Sequence, residues 1–251
     1  MCTVIIHVPV SSDEPTRVLA IRDEDPGRAW DPLGRRWPEE YPDVVGVRDQ
    51  RSGGAWLATD SSTGRFAVLL NRADVAELPA EGLRSRGEVV LDSVAGRSVA
   101  ERPRMHGFNL VEVARTSPGT AAGASPDIGA AIVTWDGDVV RRTPLAPGTH
   151  MIAHDDIDDP ETARIVEWLP AFEAQVPDAA SAEWWRPWLE ILARSSALDP
   201  TDERAIVRDN RPYGYPTLSL LVCAATIAST GVDVRYGELT EPGRWNALEL
   251  G

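Results

Sequence analysis

Apolar and β-branched residues form two early runs, Thr3 to Val10 and Thr16 to Ile21, split by Ser11-Ser12-Asp13-Glu14-Pro15. Such runs around a polar, proline-containing break predict a strand, a turn and a second strand, a hairpin that opens at the start of the chain. Residues 25 to 54 lack both helical and alternating period and are rich in Pro, Gly, Arg and Trp, so they read as a long irregular loop of the kind that lines sites. A second hairpin follows, Ala55 to Thr59 and Phe66 to Asn71, turned by Asp60-Ser61-Ser62-Thr63-Gly64. Val89, Val90, Val94 and Val99 predict a short helix over Glu88 to Ala100. Strands are expected again at Gly107 to Ala114, Gly129 to Trp135 and Val139 to Arg142, the last two joined by Asp136-Gly137-Asp138, and near Thr149 to His154. Two helices then read as Pro160 to Gln175 and Ser181 to Ser195, the second with Ser181 in a capping context and Pro187 in its early turns, where a kink is permitted. Thr217 to Ala225 and Val232 to Tyr236, around Ser229-Thr230-Gly231, complete the strands. Strands in hairpins with helices in a separate block predict an α+β or layered sandwich and not a βαβ winding.

No linker, repeat or low-complexity tract interrupts the 251 residues, which read as a single domain over 1–251. No apolar run approaches the roughly 20 residues of a membrane span, and no secretory signal opens the chain, so a soluble, cytoplasmic protein is expected. The two cysteines, Cys2 and Cys223, do not read as a disulfide framework. A net charge of -14 disfavours nucleic acid as a partner, since phosphate backbones demand clustered positive surface. All 25 basic residues are Arg, which excludes Schiff-base chemistry and a P-loop lysine; genomic base composition accounts for the bias.

The chemistry centres on Cys2. Removal of Met1 before so small a residue would leave a free α-amine beside a thiol, and an amine titrating near pH ~7.7 is a general base for a thiol of pKa ~8.5. Arg22-Asp23-Glu24 follows the second strand, and the hairpin returns it towards Cys2. An arginine there stabilises a thiolate and an aspartate holds an ammonium, whereas in isolation the triplet reads as a solvated turn. Gly53-Gly54 permit close backbone approach ahead of a strand. Asn71, at the end of the next strand, is either an oxyanion donor or a turn residue.

Met1-Cys2-Thr3, Ala20-Ile21-Arg22-Asp23-Glu24, Gly53-Gly54-Ala55-Trp56-Leu57, Leu70-Asn71, Ser85-Arg86-Gly87-Glu88 and Gly107-Phe108-Asn109-Leu110 stand in the order and spacing of one family. The chain resembles the NRDE family, which includes transport and Golgi organisation protein 2, over most of its first 155 residues and near Tyr213-Gly214. That family is similar to the choloylglycine-hydrolase branch of N-terminal-nucleophile hydrolases. The resemblance implies a four-layer αββα sandwich of the N-terminal-nucleophile hydrolase type and amide-bond chemistry. It implies Cys2 as nucleophile, Arg22 and Asp23 as the charged pair beside it, and Asn71 as oxyanion donor. Three positions depart from the family pattern. Ile21 stands for the Asn before Arg-Asp-Glu, His154 for the Asn of Leu-Ser-Asn, and Pro216 for the Arg after Tyr-Gly-x.

A neutral imidazole presents one N–H, so His154 is the expected replacement donor. His150 and His154 share a spacing that suggests zinc on a helix; on the strand read here it does not, and no metal or cofactor is expected. Asp155, Asp156, Asp158 and Asp159 are expected to cap the next helix, and His7 and His106 to pack or bond locally. Trp168, Trp184, Trp185 and Trp188 read as core, with Trp184 and Trp188 on one helix face. The leading expectation is a cysteine-dependent amidohydrolase acting on a small linear C–N amide, with Cys2, Arg22, Asp23, Asn71 and His154 as its site. The alternative is a non-catalytic haem or hydrophobic-cofactor binding and trafficking protein on the same scaffold. The expected partner is thus a small-molecule substrate or a hydrophobic ligand.

Overall fold

The computed structural model describes residues 2–11, 13–76, 81–115 and 128–251. The strands run β1 (Thr3–Val8), β2 (Thr16–Glu24), β3 (Trp30–Gly34), β4 (Val44–Asp49), β5 (Ala55–Asp60) and β6 (Arg65–Asn71) before the first helix, α1 (Gly87–Val94). β7 (Phe108–Arg115), β8 (Ile128–Trp135), β9 (Val140–Pro144) and β10 (Gly148–Ile152) follow, then α2 (Ala163–Glu173), α3 (Arg186–Ser195), β11 (Leu218–Ala228) and β12 (Gly231–Glu238). The fold is α+β and sheet-rich. One sheet has the order β10-β1-β2-β11-β12 and the other β3-β4-β5-β6-β7-β8-β9, with every pairing antiparallel. No described helix is long and apolar enough to cross a membrane.

Period-two alternation divides each strand between two apolar clusters. Val4, Ile6 and Val8 of β1, with Val18 and Ala20 of β2, meet Leu57, Phe66, Val68, Val111 and Ile132 of the second sheet. Ile5, Leu19, Ile21, Val222 and Ala224 point the other way, against Ile165 and Phe172 of α2 and Trp188, Ile191 and Leu192 of α3. A third cluster sets Val89, Val90 and Val94 of α1 on Ala67, Leu69, Leu110 and Val133 of the second sheet. Trp184, Trp185 and Trp188 lie in the core as expected, with Trp184 and Phe172 each edge-on to Trp188 at 5.4 Å between ring centroids, whereas Trp168 is only half-buried at the margin and donates to the Arg204 carbonyl at 2.7 Å.

Several expectations need correction. Residues 25 to 54 are not an irregular loop, since they hold β3 and β4. The Pro and Gly that read as breakers are tolerated there, because Pro32 lies on the outermost strand of its sheet and needs no ladder hydrogen bond. Arg22, Asp23 and Glu24 lie inside β2 rather than after it. α1 stops near Ala95 instead of Ala100, because Gly96 takes φ +79° and turns the chain out of the helix. α3 begins at Arg186, which puts Pro187 in its first turn, where the missing N–H interrupts no helical bond. Trp184 precedes that helix, and Ser181 caps only a turn, accepting the Glu183 N–H at 3.2 Å. β10 ends at Ile152, so His154 lies beyond the strand. The aspartates after it do not cap α2. Asp158 holds His150 at 2.6 Å, Asp156 pairs with Arg72 at 2.8 Å, and Asp159 bonds the Thr162 hydroxyl at 2.5 Å.

Candidate active site

Cys2 immediately precedes β1, and its side chain belongs to the inter-sheet cluster with Val4 and Ile6. Thr3 pairs with Ile21, so the next step of the register brings Cys2 beside Arg22. The sulfur accepts the Asp23 N–H at 3.4 Å, and the thiol reaches the Asp23 carbonyl oxygen at 3.7 Å. Cys2 is only 5% exposed, yet it lines a cavity of about 520 Å³ with Arg22, Asp23, Trp56, Asn71 and Arg86. Burial pushes the thiol above its ordinary pKa and the Asp23 carboxylate adds to this, while the Asp23 N–H and the charge of Arg22 pull the other way.

Arg22 is held in place by charge. Its Nη2 lies 3.5 Å from Glu24 and 3.7 Å from Asp49, and its guanidinium sits 5.6 Å from the Trp30 ring centroid. Burial works against the Asp49 carboxylate, but hydrogen bonds from Arg28 and Ser52 outweigh it and hold its pKa below the usual range. Trp56 reaches the cavity through a register irregularity: Val47 pairs with Leu57 and Arg48 with Ala55, leaving Trp56 as the extra residue. Such bulges re-aim a side chain next to functional sites.

Asp23 works on both faces of β2. Its N–H serves Cys2, while its carboxylate accepts the Ser219 hydroxyl at 2.6 Å and the Asn210 amide at 3.3 Å. Asn210 in turn accepts from Arg208 Nε at 2.9 Å. That network borders a second cavity, also about 520 Å³, lined among others by Asn71, Arg72, Arg86, His154, Arg164, Arg208 and Asn210. Arg164 is 1% exposed and donates to Thr3 Oγ1 at 2.9 Å. Burial, then repulsion from Arg208, lowers its pKa to about 10. Burial and the Arg164 charge also push His154 down, which favours neutral imidazole at pH 7.

Of the residues singled out from the sequence, Cys2, Arg22, Asp23 and Asn71 line one cavity and His154 the other; Asn71 and Arg86 border both. Ile21 packs against the helices, away from the Cys2 face, so an apolar residue there takes no donor from that cavity. Pro216 borders a different hollow, beside Arg28 and Arg51. His7 bonds Thr149 across the β1–β10 pair at 3.0 Å, as local packing requires. His106 does more than bond Asp74 at 2.7 Å, because it also lines the Cys2 cavity. Sequence reasoning missed Trp56, Arg164, Arg208, Asn210 and Ser219 as site residues. Arg164 carried one signal: it lies four residues before Trp168 and eight before Phe172, on the apolar stripe of α2, where a charge demands a reason. Among the described residues no three His, Cys, Asp or Glu side chains converge as a metal site would require.

The model of one protein family, Transport and Golgi organisation 2, matches residues 1–160. No curated protein matches the chain significantly.

Proposed function

We propose that this chain, which belongs to the Transport and Golgi organisation 2 family, is a cysteine-dependent amidohydrolase of the N-terminal-nucleophile class. In this reading residues 1–251 form one domain, a four-layer αββα sandwich. The three apolar clusters, helix to sheet, sheet to sheet and sheet to helix, support that layering. The observation that carries the function is the Cys2 sulfur, held by the Asp23 N–H on the wall of a cavity that also presents Arg22 and Asn71.

Removal of Met1 frees the α-amine of Cys2. Because burial raises the thiol, the group attacks with help from a base, and the amine at the same residue takes the proton as the sulfur adds to the amide carbonyl. The Asn71 amide holds the developing oxyanion, and the charge of Arg22 favours the thiolate. Collapse breaks the C–N bond, with the proton passing from the ammonium to the departing amine. Water, deprotonated by the same amine, then cleaves the thioester, releases the carboxylic acid and restores the thiol. His154, lining the neighbouring cavity as a neutral imidazole, is a donor to the substrate.

The cofactor-carrier alternative draws less support. A haem macrocycle demands a broad apolar slot, whereas Arg72, Arg86, Arg164 and Arg208 stand beside Tyr213 and Tyr215 in the lining of the His154 cavity. An activated acyl probe tests the hydrolase reading. Labelling at Cys2 in the processed protein, lost in Cys2→Ala and slowed in Asn71→Ala by roughly 10²-fold or more, is the expected result. Labelling unaffected by Cys2→Ala rejects it.

A further inference from the structure

The bond-breaking steps make no use of Gly107-Phe108-Asn109-Leu110, yet Asn109 stands where the period of a strand calls for an apolar side chain. Val113 and Val111 of β7 point into the gap between the sheets, and Asn109 continues their row with a primary amide that is 1% exposed. Burying an amide is costly unless its groups are bonded, and here both ends are. Asn109 Nδ2 donates to the Asp155 carbonyl at 2.6 Å, and Thr134, directly opposite on β8, donates its hydroxyl to Asn109 Oδ1 at 2.9 Å. A carbonyl only accepts, so the amide nitrogen faces Asp155 and the threonine hydroxyl completes the amide oxygen.

The loop held in this way, residues 153–158, carries His154 away from β10 of the first sheet. Its far end is pinned by Asp158, whose N–H donates to the Met151 carbonyl at 2.9 Å and whose carboxylate accepts the Met151 N–H at 2.8 Å and meets His150 at 2.6 Å. Asp158 takes φ +53°, a left-handed conformation that a residue with a side chain keeps only where its surroundings demand it. Asn109 ties the middle of the loop to the second sheet. Ion pairs of Asp156 with Arg72 and Arg141 join the same parts, but the Asp156 side chain is 66% exposed and solvent screens them. No bond of its own ring aims His154: among the described residues Nδ1 is buried without a hydrogen-bond partner, and Nε2 lies 3.4 Å from the half-exposed Asp155 carboxylate. A ring without a fixed partner stands where its backbone puts it.

We infer that Asn109 is the positioning residue of His154, holding the 153–158 loop across the gap between the sheets so that the imidazole forms part of its cavity wall. The effect on catalysis rests on the hydrolase reading, in which His154 donates to the substrate; the placement of the ring does not.

NMR titration of the four histidine rings tests the placement without turnover. Burial, then the Arg164 charge, holds the His154 pKa below its ordinary value, while the Asp158 bond holds His150 above it and burial holds His7 below. Asn109→Leu keeps the volume and removes the amide, so the loop drifts from Arg164 and the His154 titration rises towards that of a free imidazole, with His150 and His7 unmoved. Where His7 moves as well and marks a wider disturbance, Thr134→Val decides: it frees the amide to turn from Asp155 and gives the same rise, which Thr134→Ser reverses. A His154 titration that stays in place in whichever variant leaves His7 unmoved overturns the inference. Acyl labelling of Cys2 is read in parallel. Asn109→Leu and His154→Ala each slow it by about 10- to 100-fold, and the double variant slows it no further, because both act through one ring. Effects that multiply in the double variant contradict action through His154. A risen His154 titration with labelling unchanged keeps the placement and removes His154 from the reaction, whereas absent labelling in the wild type removes the hydrolase and leaves the titration to judge Asn109.

Discussion

Asp23 connects the two faces of the first sheet, its N–H against the Cys2 sulfur and its carboxylate against Ser219 and Asn210. Asp23→Ala leaves both buried donors without their acceptor and is expected to cost roughly 2–4 kcal/mol in urea unfolding, at about 1–2 kcal/mol per orphaned donor. A loss below about 0.5 kcal/mol contradicts the network. The raised Cys2 thiol makes a pH prediction. Burial and the Asp23 carboxylate both disfavour the thiolate, so with Met1 retained the alkylation of Cys2 by iodoacetamide is slow at pH 7 and climbs beyond the ordinary thiol range. A rate already level at pH 7 contradicts it. At this scale Cys2, Arg22, Asp23 and Asn71 were legible because each sits in or beside a short motif near the start of the chain. Arg208, Asn210 and Ser219 were not, because they reach Asp23 only through the long-range pairing of β11 with β2. No local pattern encodes that pairing.

At the scale of elements, α1 is seated by two glycines. A Cβ added at Gly54 would lie 2.6 Å from the Gly87 backbone, so the start of the helix and the approach to β5 touch main chain to main chain. The same contact sets Ser85, Arg86 and Gly87 on the wall of the Cys2 cavity. Gly54→Ala is therefore expected to destabilise by about 1–3 kcal/mol through overpacking and to slow acyl labelling of Cys2, read by thermal melting and by probe kinetics. Unchanged values in both assays contradict that seating. The hairpins were legible because their runs are apolar and their turns carry Asp, Ser and Gly. β3 and β4 escaped because strand pairing is made by the backbone; where an edge strand contains Pro32 and its inner neighbour contains Gly46, side-chain pattern says little. Helix lengths were overestimated for a related reason, since capping and tertiary packing, not propensity, ended α1 at Gly96 and began α3 at Arg186.

For the whole molecule, the family match ends at residue 160 but the structure does not divide there. β11 continues the first sheet by pairing with β2 from Leu218 opposite Glu24 to Ile227 opposite Thr16, and α2 and α3 cover that sheet's outer face. A fragment of residues 1–160 leaves β2 as an open edge and Ile5, Leu19 and Ile21 uncovered. It is expected to lack a cooperative transition in calorimetry, whereas the full chain unfolds in one step. A fragment that melts cooperatively contradicts the single-domain reading. The central claim remains that a processed Cys2 is the nucleophile. Intact mass spectrometry of protein purified without an N-terminal tag, from a preparation whose amidase activity is assayed alongside, addresses it most directly. The account predicts that the active protein lacks Met1 and begins at Cys2; full activity in protein that retains Met1 would contradict it, because a blocked amine cannot take the proton.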